Sequence, residues 1–163
     1  MTRPVLLRRR IRVWLVLFLV GLVLSGVTAI PLAWELDMAA HVVGSGDNGL
    51  AHWIGHVRGG LRDTYARYPF IAYGTNWLAF GHLMIALAFV GPLRDPVRNR
   101  WVITFGMIAC VLVVPWALTL GPLRGIPFFW RLIDCSFGVV GIVPLWICRR
   151  DIDELERIEA ATP

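Results

Sequence analysis

Apolar residues in this chain come in long blocks, not in the two-residue or 3.6-residue alternation of half-buried strands and surface helices. Four blocks lie at 13–34 (VWLVLFLVGLVLSGVTAIPLAW), 71–93, 101–120 and 128–148. Each approaches or exceeds the roughly 20 helical residues that cross a hydrocarbon core about 30 Å thick. The pattern predicts an all-α membrane protein, a single integral membrane domain of four transmembrane helices in an up-down bundle. The connections at 94–100 and 121–127 are short and impose antiparallel neighbours on the last three helices.

The one long connection, 35–70, carries a second, shorter period. Leu50, Trp53, Ile54, Val57 and Leu61 fall on one helical face, with His52, His56 and Arg58 on the other, so a short interfacial helix is expected over about 49–61. GSGDN just before it is turn chemistry with helix-cap candidates, and Tyr65, Tyr68, Phe70, Tyr73 and Trp77 supply an aromatic belt. The repeated GPLR after the second and third blocks reads as helix-stop chemistry, with Gly91 and Gly121 as C-terminal glycines, not as an internal duplication. Pro115 removes a backbone donor inside the third block and is expected to kink it.

Composition reinforces the membrane reading: 57% of residues are hydrophobic, mean hydropathy is +0.65 and there are eight tryptophans. The formal charge of +5 changes the picture more by its placement than by its size. All sixteen basic residues are arginine, and eleven flank the blocks on one side: Arg3, Arg8, Arg9, Arg10 and Arg12 in the 1–12 tail, Arg94, Arg98 and Arg100, then Arg149, Arg150 and Arg157 in the 149–163 tail. The positive-inside rule then puts both termini in the cytoplasm and the protein in the cytoplasmic (inner) membrane, and it accounts for the basic pI without nucleic acid. The basic start and the V-x-A at Val27 to Ala29 resemble a secretory leader, but the first block is long enough to span and reads as an uncleaved anchor. Cys110, Cys135 and Cys148 lie in or beside apolar blocks with no CxxC pair, which points to packing. The 149–163 tail extends the fourth helix on paper, with Ile152, Leu155 and Ile158 as an apolar edge among acids.

Candidate chemistry is concentrated in WRLIDCSFG, 130–138, which draws Arg131 and Asp134 into the fourth span. Helical rise puts Asp134 roughly 22 Å above the boundary near Arg149, a depth at which a carboxylate needs a partner or water. His82 lies roughly 18 Å above Arg94, at a comparable level. Thr75, Ala79, His82 and Ala86 form a small-residue face on the second span, and Asp134, Gly138, Gly141 and Leu145 one on the fourth; these two faces are expected to meet. The resulting polar cluster would join His82, Asp134, Arg131 and Asn76, with Tyr73, Trp77 and Trp130 as an apolar wall suited to a quinone or a lipid headgroup. The plainer alternative has Arg131 and Asp134 satisfying each other and His82 bonding a neighbouring carbonyl.

Haem at His82 would need a second ligand at the same depth, whereas His41, His52 and His56 all lie in the outer connection. His52 and His56, four apart, with His41 nearby, are weak metal candidates; no metal is expected. No nucleophile elbow, phosphate loop or HExxH motif is present, and no catalytic residue is assigned. The expected role is a non-catalytic accessory subunit or assembly factor of a membrane complex, in contact with the lipid bilayer and with a membrane-protein partner or further copies of itself. The alternative is a quinone-, lipid- or haem-binding membrane protein built on His82 and Asp134.

Overall fold

The computed structural model describes residues 2–44 and 46–161; Ser45 of GSGDN and the last two residues of the tail lie outside the described residues. Among the described residues seven α-helices follow in order, α1 (Arg3–Thr28), α2 (Leu32–Val43), α3 (Gly49–Arg67), α4 (Ala72–Ala88), α5 (Val90–Arg94), α6 (Arg100–Leu123) and α7 (Phe128–Ala160), with a 3-10 turn at Pro69–Ile71 ahead of α4 and no strand. Four helical segments are long and apolar enough to cross a membrane: Arg3–Thr28, Pro69–Arg94, Arg100–Leu123 and Phe128–Ala160.

The helix ends depart from the hydropathy blocks for local reasons. Proline at 31 has no N–H and its ring collides with the carbonyl four residues back, so α1 stops at Thr28 instead of running to Trp34. The chain tightens there through Ala29 N–H to Gly26 O and Ile30 N–H to Val27 O, each at 3.2 Å. A new helix, α2, starts at Leu32, at the end of the first block, and runs through the first part of the segment expected to be a connection; Gly44 closes it at φ 70°. Asn48 caps α3 by accepting from Ala51 N–H at 2.8 Å. That helix runs on past the expected end near 61 to Arg67, where Tyr68 meets Pro69 and leaves the α region.

Gly91 and Gly121 are not the helix stops expected of GPLR. Both sit inside helices, and the positive-φ glycines are Gly44 and Gly125. Their bare Cα atoms instead admit a neighbour: a Cβ on Gly91 would lie 2.9 Å from Asn99 Oδ1, and one on Gly121 would strike the Arg131 stem. α6 continues through Pro115 and Pro122, and α7 through Pro144.

The chain forms two compact units, 1–21 with 86–163, and 22–85. In the first unit α6 and α7 are antiparallel, since Gly121 faces Arg131, Cys110 faces Gly138 and Gly106 faces Leu145. α1 also runs antiparallel to α7: the Phe18 ring lies at Gly141, Cys148 Sγ donates to Ile11 O at 3.6 Å, and Arg10 reaches Asp151. The core between them includes Ile11, Leu15, Phe89, Ile103, Leu145 and Leu155, all at 2% exposure or less. In the second unit α2 packs on α3 over the buried Ile54, and Gly26 of α1 packs on α4.

Candidate functional site

His82 is half-buried, and its Nδ1 lies 2.8 Å from the Leu78 carbonyl one turn earlier. A carbonyl only accepts, so Nδ1 carries the proton. The face of α4 holding Ala79 and His82 turns toward α1: a Cβ on Gly26 would stand 2.7 Å from His82 Cβ and 3.3 Å from Ala79 O. The corresponding face of α7 is filled from other helices. The Cys110 carbonyl occupies the space a Cβ on Gly138 would need, and Cys110 Sγ and the Phe18 ring lie 3.1 and 3.6 Å from that of Gly141. Glycine admits whichever backbone or ring fits closest, so both small-residue faces already have partners.

Tyr73 and Trp77 lie on roughly the opposite side of α4 from His82, as a step of about 100° per residue requires. Both are exposed, and with Phe80 they form a chain of edge-on rings at 5.9 and 5.4 Å. Asn76 is exposed too, and Trp130 is half-buried in the first turn of α7. Long helical side chains lean back toward the helix N-terminus. The Arg131 guanidinium accordingly sits 5.1 Å from the Phe128 ring centroid, with its stem over Gly121. It makes no ion pair with Asp134 among the described residues, and the half-buried Asp134 has neither a hydrogen bond nor an ion pair in its unit. Outside the apolar stretches, His41, His52 and His56 are exposed, and no three His, Cys, Asp or Glu side chains gather to hold a metal among the described residues.

The densest polar arrangement lies where the sequence reading put two separate tails. α1 begins at Arg3 and α7 runs through Ala160, about 50 Å for its 33 residues, so the basic and acidic ends lie side by side as helices. Leu7 and Ile11 meet Ile152 and Leu155, the latter two at 0% exposure. The edge marked by Ile152, Leu155 and Ile158 thus docks within its own chain. Around it stand Arg3 with Glu154, Arg8 with Glu159 and Arg10 with Asp151; from α6, Arg100 reaches Asp153 at 3.1 Å and Glu156 at 2.8 Å. Arg149 donates to Thr104 Oγ1 at 2.6 Å and reaches Asp153 at 3.3 Å.

Each exposed pair contributes about 0–1 kcal/mol, whereas each fully buried Leu or Ile is worth about 1.5–3 kcal/mol, so the apolar edge holds these ends and the charges set their register. Asp151 is the exception among the acids, buried at 5% exposure. It stands beyond the apolar stretch that ends at Cys148, and burial raises its pKa against the pull of Arg10. The signal for this arrangement is present in the sequence as opposite charges at helical spacing in the two tails, each flanking apolar residues three or four apart.

Beside the paired ends of α1 and α7 lies an open groove of about 860 Å³, lined among others by Arg3, Arg10, Trp146, Arg150, Glu154 and Arg157. Arg150 lies over the Trp146 ring at 4.9 Å. In the second unit the strongest polar contact is Asp37, which accepts from Arg58 Nε at 2.6 Å and Arg62 Nη2 at 2.7 Å. These bonds, Arg58 first, hold its pKa below the ordinary value. Comparison with family models, curated proteins and solved structures finds no match for this chain.

Proposed function

We propose that this chain is a small multi-pass protein of the cytoplasmic membrane, both termini inside, that serves as a non-catalytic accessory subunit or assembly factor. The observation that carries this reading is Asp134. It sits in the apolar part of α7, half-buried and without a hydrogen bond or ion pair among the described residues of its unit. A carboxylate in that position is costly unless something completes it, and a donor from another membrane-embedded chain would do so. Three other polar groups support the same reading, because they are spent within the chain: His82 on Leu78 O, Arg149 on Thr104 and Asp37 on two arginines.

The test is native mass spectrometry of the full chain from mild detergent, wild type beside Asp134→Asn and Asp134→Leu. A stoichiometric second chain that the leucine variant loses is the expected result. A monomer that carries a quinone, lipid or haem, released on the same substitution, would replace this reading with the ligand-binding one.

A further inference from the structure

We propose that the groove beside the paired ends of α1 and α7 binds the phosphate of an anionic phospholipid headgroup. The inference rests on the membrane placement proposed above, and not on the accessory role. The charge balance of the groove favours an anion. Arg3 and Arg10 are neutralised by Glu154 and Asp151, and Asp153 by Arg100 and Arg149. Arg150 and Arg157 remain, both exposed and neither ion-paired among the described residues. They are two helical turns apart on one face of α7, so both guanidiniums reach toward the same space. Planar guanidinium groups match phosphate oxygens two at a time.

The position of the groove along α7 selects the source of that phosphate. Trp146 and Ile147 close one end of it, at the point where the apolar stretch of α7 gives way to Arg149 and Arg150. Tryptophan with arginine at such a boundary is the pairing found at headgroup level. Arg150 is held over the Trp146 ring, so its orientation is set before a ligand arrives. A lipid phosphate on Arg150 and Arg157 leaves its acyl chains free to run along Trp146 and the apolar surface above.

Two double variants with the same charge change test this. Arg150→Gln/Arg157→Gln empties the groove of its unpaired cations; Arg9→Gln/Arg12→Gln removes two exposed arginines of α1 that do not line it. Binding of phosphatidylglycerol against phosphatidylcholine is measured on the detergent-purified full chain by native mass spectrometry. One retained phosphatidylglycerol is expected, weakened roughly 30-fold by the groove variant and only a few-fold by the control.

Equal losses in both variants mean diffuse surface attraction and overturn the proposal, as does no preference over phosphatidylcholine. Displacement by excess inorganic phosphate shows that the anion alone is recognised, whatever carries it; no displacement assigns the site to the lipid. A wild-type chain that keeps its partner but retains no phosphatidylglycerol sinks the groove and spares the accessory role; a wild-type chain that retains the lipid but has no partner does the reverse.

Discussion

The paired ends of α1 and α7 in the first unit and the α2–α3 hairpin in the second both set arginine against aspartate, on helices that also carry apolar faces. Beneath the first lie Ile11, Ile152 and Leu155, all almost completely buried. In the second, Ile54 is the buried residue of α3, α2 has none, and Asp37 is clamped on the surface by Arg58 and Arg62. Similar ion pairs therefore do different jobs. Over a packed interior they fix register; over a shallow one they are a large share of what joins the helices.

The comparison breaks first at Leu155. Leu155→Ala removes a fully buried side chain from between α1 and α7 and is expected to destabilise the first unit by about 2–5 kcal/mol, read by denaturant unfolding in detergent. A loss no larger than that of an exposed ion pair would show that charge, not packing, holds these ends.

A smaller effect is expected where α6 and α7 touch. Gly138→Ala drives a Cβ into the Cys110 carbonyl, which is backbone and cannot swing away, at a cost of about 1–3 kcal/mol. Gly21 has open space around its missing Cβ, so Gly21→Ala is the control and should gain up to about 1 kcal/mol through helix propensity. Equal behaviour of the two would mean that the α6–α7 contact is looser than the Cys110–Gly138 approach implies.

These sites also mark what was legible in the chain. Block hydropathy was enough for the four long helices, because twenty apolar residues in a row have few other structures open to them. It said nothing of where helices end, since Arg, Leu and Glu extend a helix as readily as Val and Ile do, and α1 and α7 run into their charged tails. LAWELDMAAHVV, rich in good helix formers, forms α2, but hydropathy divides it, with LAW ending the first apolar block and ELDMAAHVV opening the connection. The candidate site fared differently again. Depth along a helix follows from counting residues, so His82 and Asp134 were placed at comparable levels; which neighbour each face meets depends on close packing at Gly26, Gly138 and Gly141, to which hydropathy is blind. Tyr73 and Trp77 lie on roughly the opposite side of α4 from His82, a relation that the turn of the helix sets and hydropathy does not register.

The hairpin responds to pH in the direction set by its clamp. Asp37 has a folded pKa below its ordinary 3.8, so its contribution is complete above that value and is lost as pH falls through the lowered one. Asp37→Asn should speed amide exchange in α2 and α3 at neutral pH and make no difference in strong acid. Unchanged exchange at pH 7 would assign the hairpin to the packing of Ile54 alone.

Asp151 reverses that sign and is the smallest effect of the four. Burial raises its folded pKa above 3.8, so between the two values the folded chain binds more protons than the unfolded one, and stability falls as pH rises through that window. The charge is thus disfavoured at neutral pH, and the attraction of Arg10 at 3.0 Å only partly offsets the burial. Removing it leaves no stranded cation in the interior, because the Arg10 side chain is 59% exposed and returns to water. Asp151→Asn should therefore unfold no earlier than wild type at pH 7, with the gap between the two closing in acid as the wild-type carboxyl protonates. A clear loss at pH 7 would mean that the Arg10–Asp151 pair supports the first unit as the Asp37 clamp supports the second, and the division of labour between packing and charge would no longer separate the two regions.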